Sequence, residues 1–303
     1  MNNDAVSVKN DITMKDLKAN DPRWCTGCGD YTILVGLRKF MVNRQIRPEN
    51  TVNVSGIGCS GRIPHYMNTY GLHSIHGRAI PISLGIALAK PDLKVFIHSG
   101  DGDSLSIGGN HLMHGIKKNF NCVYLLFDNQ IYGLTKNQTS PTTQRGVATQ
   151  TQPKGSYLDP INPIRFALGL GASFVASTAE WMGKHFVDTL DLAFQHEGFS
   201  FVHIAQRCPK FNPGAWDYKD SSWVEFLQHE TALQADLKGA PDAGVINHDP
   251  TDYIKAIELC NKVPSLFGLF YKEDKPMYDK ILLDSINATP SKDSDKLLDD
   301  FII

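Results

Sequence analysis

The feature that most constrains this chain is a regular alternation between short apolar runs and segments of helical length. Residues 51–57 (TVNVSGI), 93–98 (LKVFIH), 122–128 (CVYLLFD), 172–176 (ASFVA) and 201–205 (FVHIA) are short and rich in β-branched or aromatic residues. Gly, Pro, Asn or Asp bound them, which is how buried strands read. Residues 77–90, with Ile82 and Ile86 one helical turn apart, and residues 104–119 and 179–197 read as helices between them. Strands separated by helices need crossover connections. The pattern therefore predicts an α/β fold, a mostly parallel sheet with helices on both faces. Ligands of such sheets sit beyond the carboxyl ends of the strands, so the residues directly after each run are the candidates for chemistry.

Composition narrows the class. A length of 303 residues suits two domains or one large α/β domain. With 42% apolar and 10% aromatic residues there is ample material for a core. Thirty basic against thirty-two acidic side chains leave a net charge of −2, without the electrostatic signature of a nucleic-acid binder. The best apolar run, residues 123–127, falls far short of the roughly 18–20 residues of a membrane span. Residues 1–20 lack the apolar centre of a secretory signal, so a cytoplasmic enzyme is expected.

No fixed-period repeat is present. The organisation expected is a polar N-terminal arm (1–20), a ligand-binding α/β domain (21–225) and a C-terminal extension (226–303). Residues 129–165, rich in Thr, Gln, Asn, Pro and Gly, form a loop long enough to suggest a functional role. The chain closes on Leu297, Leu298, Phe301, Ile302 and Ile303 within a charged stretch, either a solvated tail or a docking segment for a partner chain.

The run ending at His98 leads into Ser99-Gly100-Asp101-Gly102-Asp103-Ser104. Glycines at a strand end let the backbone approach a ligand and free amide N–H groups to cradle phosphate. The next run ends at Asp128-Asn129, 28 residues after Asp101, and parallel strands place such ends side by side. Asp101, the Asn129 side-chain oxygen and a nearby carbonyl suit Mg²⁺, which takes a few oxygen ligands plus ligand phosphates. The combination resembles the diphosphate-binding motif of thiamine diphosphate enzymes. That resemblance implies Mg²⁺ bound by Asp101, Asn129 and the Ile131 carbonyl, with Gly102 and Asp103 against the diphosphate. Asp128 stands where the family commonly has the first of two asparagines.

Six cysteines remain to be explained. Cys25-Thr26-Gly27-Cys28 is a C-x-x-C whose options in a reducing compartment are a metal, a cluster or a redox dithiol. Cys59 follows the first run and Cys208 follows the last, both at the expected ligand edge, whereas Cys122 and Cys260 read as core residues. Four such cysteines suit either a tetrathiolate zinc or a [4Fe–4S] cluster. The pairs His73/His76 and His111/His114 have no Glu or Cys beside them to complete a metal site.

Residues 24–30 (WCTGCGD), 56–62 (GIGCSGR), 73–79 (HSIHGRA), 100–111 (GDGDSLSIGGNH) and 128–135 (DNQIYGLT) together resemble the β subunit of 2-oxoacid:ferredoxin oxidoreductases over about residues 20–210. Residues 106–111, 68–71 and 131–136 are most similar to the 2-oxoglutarate (KorB-type) branch. The resemblance implies one [4Fe–4S] cluster on Cys25, Cys28, Cys59 and Cys208. It places Ile57, Gly58, Cys59, Ser60, Gly133 and Leu134 around thiamine diphosphate, Arg62 on a substrate carboxylate, and His76 in cofactor contact or proton transfer. Arg suits the carboxylate role because it binds bidentately.

The activity implied is thiamine-dependent oxidative decarboxylation of a 2-oxo acid to acyl-CoA and CO₂, with electrons passing through the cluster to ferredoxin. Pyruvate and other 2-oxo acids are alternative substrates, and a non-redox decarboxylase with a structural zinc is an alternative class. A non-catalytic binding subunit is a third, against which the Asp101/Asn129 pair speaks. The chain has room for one sheet only, so the pyrimidine-binding half of the site is expected from an α subunit, as in an α2β2 assembly.

Overall fold

The structure, a computed structural model, describes residues 11–288. In chain order the elements are α1 (Asp30–Asn43), β1 (Thr51–Ser55), α2 (Ile63–Tyr66), β2 (Tyr70–His73), α3 (Ala79–Ala89), β3 (Lys94–Gly100), α4 (Gly109–Lys118) and β4 (Cys122–Asp128). There follow α5 (Pro163–Gly169), β5 (Phe174–Ala179), α6 (Gly183–Gln195), β6 (Phe199–Ala205), β7 (Glu225–Gln228), β8 (Gly244–Asn247), α7 (Tyr253–Leu259), β9 (Leu266–Lys272) and α8 (Tyr278–Ala288).

The strands form one nine-stranded sheet in the order β2-β1-β3-β4-β6-β5-β9-β7-β8. Every pairing is parallel except β5 with β9. Helices cover both faces, which is why the central strands are apolar throughout rather than alternating with polar residues. Along β4, Cys122, Tyr124 and Leu126 enter the core beneath α3, α4, α5 and α7, while Val123, Leu125 and Phe127 enter the core beneath α1 and α6. Each large side chain so buried contributes about 1.5–3 kcal/mol. Cys122 and Cys260 are core residues, 3% and 0% exposed.

The five strands read from sequence are all present, with β5 shifted to Phe174–Ala179 and β6 starting at Phe199. The helix expected over 104–119 is divided. A π-helical turn, Asp103–Ile107, closed by the Gly108 N–H on the Asp103 carbonyl at 3.0 Å, precedes α4. The helix expected from 179 starts at Gly183, because Ala179 still belongs to β5. The region set apart as a C-terminal extension contributes β7, β8 and β9 to the same sheet. In the N-terminal arm, Ile12 and Leu17 are buried and the Ala19 N–H donates to Tyr66, so the described part of the arm is docked. The apolar chain end, Leu297 to Ile303, lies outside the described residues.

Candidate cofactor site

The carboxyl ends of β1, β3 and β4 open on a cavity of about 120 Å³. Every residue assigned from sequence to the cofactor lines it: Ile57, Gly58, Cys59 and Ser60 after β1, His76 after β2, Gly102 and Asp103 after β3, and Gly133 and Leu134 after β4. The three cation candidates, Asp101, Asn129 and Ile131, line it too. The volume is below the about 300–1,000 Å³ usual for a ligand pocket. Gly102 is required by close packing, since a Cβ there would stand 2.2 Å from the Tyr132 ring. The Tyr132 hydroxyl donates to the Gly102 carbonyl at 3.1 Å, tying the two ligand segments together.

The Asp103 carboxylate is tied into the fold. It is 3% exposed and accepts from the Ile57 N–H at 3.1 Å, the Gly77 N–H at 2.7 Å and the Ser99 hydroxyl. His76 Nδ1 lies 2.5 Å from the same carboxylate. A Cβ on Gly56 would stand 1.8 Å from Asp103 Oδ2, so the chain passes over this carboxylate only as glycine. The side chain thus faces into the fold and organises the loop after β1. His76, with Nδ1 against Asp103, lines the cavity with Nε2 as the ring nitrogen left for a ligand.

Asp101 and Asp128, at the ends of neighbouring strands, are 2% and 3% exposed. Burial first, and the Asp128 charge second, push the Asp101 carboxyl up from its ordinary range. Thr142 Oγ1 stands 2.7 Å from each of them. Asp128 is paired on its other oxygen with His203 at 3.0 Å, and His203 in turn with Ser177 at 2.9 Å. The Asn129 side-chain oxygen accepts from the Ile131 N–H at 3.1 Å, and Gln130 adopts a positive φ of 59° to form that turn.

The four candidate cysteines come together from three segments. The Gly29 N–H donates to the Arg207 carbonyl at 3.1 Å, Trp24 Nε1 to the Cys59 carbonyl at 2.8 Å, and Gln206 Nε2 to Cys28 Sγ at 3.4 Å. Cys28 and Cys208 are buried, Cys59 is half-buried and Cys25 exposed, all as free thiols. Burial pushes the Cys28 thiol far up and the Cys59 thiol to about 12, each also raised by Asp30 nearby, and burial raises Cys208. Four cysteine sulfurs are the donor set that a tetrathiolate metal or an iron–sulfur centre takes. Among the described residues, no three His, Cys, Asp or Glu side chains are gathered closely enough to hold a single metal ion.

Arg62 is not in the cavity wall. Its Nη1 donates to the Arg23 carbonyl at 2.8 Å, and its guanidinium lies 5.7 Å from the centre of the Tyr66 ring. Thr142, Tyr132 and the Asp128–His203 pair were not singled out from sequence. The length of the loop carrying the first two was the signal available for them.

A parallel sheet whose strand ends carry a GDG turn and a following asparagine defines a thiamine diphosphate-binding domain, and residues 56–204 match the family described as "Thiamine pyrophosphate enzyme, C-terminal TPP binding domain". The chain is 35% identical over 268 residues to a 2-oxoacid:ferredoxin oxidoreductase subunit beta of Sulfolobus sp, covering 85% of this chain and 84% of that protein. It belongs to the β-subunit family of the 2-oxoacid:ferredoxin oxidoreductases. It is 51% identical over 195 residues to the 2-oxoglutarate oxidoreductase subunit KorB of Mycobacterium tuberculosis, a match spanning 64% of this chain but only 52% of that relative. Among solved structures it is similar to a 2-oxoglutarate:ferredoxin oxidoreductase from Magnetococcus marinus with 2-oxoglutarate, coenzyme A and succinyl-CoA bound. There the TM-score is 0.85 at 33% identity, with coverage of 97% of this chain and 98% of that one.

Proposed function

We propose that this chain is the β subunit of a 2-oxoglutarate:ferredoxin oxidoreductase, converting a 2-oxo acid and coenzyme A to acyl-CoA and CO₂. The observation that carries the reading is one loop. Ile57, Gly58 and Ser60 line the cofactor cavity while Cys59 between them joins the four-cysteine set. Thiamine diphosphate, when bound, supplies the decarboxylation chemistry, and a [4Fe–4S] cluster one-electron transfer. Asp101, Asn129 and the Ile131 carbonyl would hold Mg²⁺, an all-oxygen set suited to that hard ion. Cys25, Cys28, Cys59 and Cys208 would hold the cluster.

His76, oriented by Asp103, would hold or move a proton at Nε2. Arg62, which lies outside the wall of this cavity, would meet the substrate carboxylate. The small cavity supports an α subunit that closes the site, in an α2β2 assembly that passes electrons to ferredoxin. Free thiols throughout accord with a cytoplasmic setting, and among the described residues no helix is long and apolar enough to cross a membrane.

The test is anaerobic co-expression with the α subunit, assay of iron, sulfide and zinc, and dye reduction with a panel of 2-oxo acids. Iron and sulfide in cluster ratio with turnover of 2-oxoglutarate are expected, and no turnover by the single chain. Stoichiometric zinc without sulfide would overturn the redox reading, and a large preference for pyruvate the substrate assignment.

A further inference from the structure

The loop between β4 and α5 carries a buried turn that the proposed chemistry does not yet use. Ser140, Thr142 and Thr143 are 9%, 2% and 2% exposed, unusual for loop hydroxyls. Thr143 Oγ1 donates to the Gln130 carbonyl at 2.6 Å and accepts from the Ser140 N–H at 2.8 Å, while the Ile161 N–H donates to the Pro141 carbonyl at 2.8 Å. The turn is therefore fastened to the segment that bears Asn129 and Ile131. From this fixed base Thr142 Oγ1 reaches Asp101 Oδ2 and Asp128 Oδ1, 2.7 Å from each.

We infer that Thr142 is a positioning residue for the cation of the proposed thiamine diphosphate site, bracing the Asp101 carboxylate through its Oδ2. This rests on the proposed function. A hydroxyl has one proton to donate, and the two carboxylates differ in what else they have. Asp128 also accepts from the Gln130 N–H at 3.1 Å and pairs with His203. Apart from the Gly102 backbone of its own turn, Asp101 is held by side chains of this one loop turn, Ser140 and Thr142, with Thr142 Oγ1 at 2.7 Å. Asp101 is therefore the carboxylate whose orientation depends on the loop. Mg²⁺ demands near-ideal octahedral geometry, so a ligand carboxylate free to rotate binds it poorly. Partners that orient a metal ligand commonly matter by about 10–100-fold in metal affinity.

The test uses the α–β complex, with Mn²⁺ as the probe, titrated by electron paramagnetic resonance in the presence of thiamine diphosphate. Thr142→Val keeps the shape and removes the hydroxyl. It is expected to weaken Mn²⁺ binding about 10–100-fold and to raise the Mg²⁺ concentration needed for half-maximal turnover, with kcat recovered at saturation. Thr142→Ser should restore wild-type binding. If Thr142→Val fails to assemble, Ser140→Ala reads the same brace and should weaken Mn²⁺ binding in the same direction. Wild-type Mn²⁺ affinity in Thr142→Val, or in Ser140→Ala where the former does not assemble, would overturn the inference. Asp101→Asn separates the two levels: if it abolishes binding while the hydroxyl variants do not, only the brace is wrong. If it too binds normally, the cation assignment itself falls.

Discussion

Asp103→Asn removes one charge and almost no volume, and its effect follows from the four groups around that carboxylate. The Ile57 and Gly77 N–H groups and the Ser99 hydroxyl donate to it, and His76 Nδ1 lies 2.5 Å away, in a site 3% exposed. Hydrogen bonds to a charged group contribute about 1.5–3 kcal/mol and neutral ones about 0.5–1.5, so each of the three hydrogen bonds loses about 1 kcal/mol. The new amide N–H group meets Ser99, whose hydroxyl can turn and accept, which recovers part of the loss. The expected cost is about 2 kcal/mol, or about 4 °C in the unfolding midpoint at about 2 °C per kcal/mol for a chain of this size. Binding tests the direction. If the carboxylate faced the diphosphate, removing its charge would relieve repulsion and tighten cofactor binding. Because it instead anchors the loop after β1, the substitution should weaken binding. Thermal unfolding of the α–β complex and calorimetric titration with thiamine diphosphate and Mg²⁺ read both quantities. An unchanged midpoint with tighter binding would refute the reasoning.

Two other outcomes are expected. Glu180 is fully buried and accepts both arms of Arg207, so Arg207→Met should strand a buried carboxylate. The cost expected is about 3–5 kcal/mol in urea unfolding, with Glu180→Gln in the same background recovering much of it; a loss below 1 kcal/mol would show the pair to be no more than a surface contact. Burial depresses His98 to about 3 and His185 and His196 to about 4, so each is neutral when folded, whereas an unfolded histidine protonates near 6.5. Stability should therefore fall as pH drops below 6.5 towards 4, each histidine adding up to about 1.4 kcal/mol per pH unit. Urea midpoints at pH 7, 6 and 5 test this, and a slope unaltered by His185→Gln would contradict it.

The central strands were legible because burial on both faces leaves an unbroken apolar signature, as in residues 122–128, which match β4 at both ends. β2 was not, since all four of its residues are exposed at the sheet edge and nothing in Tyr70-Gly71-Leu72-His73 alternates. α1 begins directly after the cysteine motif, and its buried face, Ile33, Leu34, Leu37, Phe40 and Met41, carries the helical spacing. β9 carries a strong apolar run, Leu266-Phe267-Gly268-Leu269-Phe270-Tyr271, but its antiparallel place beside β5 is a tertiary fact with no local code. In the site, groups that must follow a strand end were readable, because topology fixes where such residues lie. The inward turn of Asp103 was not, because it depends on Gly56, Gly77 and Ser99 arriving from elsewhere. Thr142 sits 41 residues from Asp101, and no spacing rule connects them.

The reversal of direction at β9 has a practical side. β9 runs opposite to β5, and the chain after it is fastened at the entry ends of the central strands. Asn119 Nδ2 donates to the Lys275 and Pro276 carbonyls at 3.2 and 3.3 Å, and the Asn121 N–H to Asp279 at 3.4 Å, just ahead of β4. The cavity lies at the other ends of those strands, some seven residues or about 23 Å away. A fluorophore on the exposed Ile281 or Ile286 of α8 would therefore stay dark to cofactor arrival and report only on the integrity of the sheet. Paired with a second probe beside Leu134, half-exposed at the cavity mouth, it would separate loading from unfolding in a single sample.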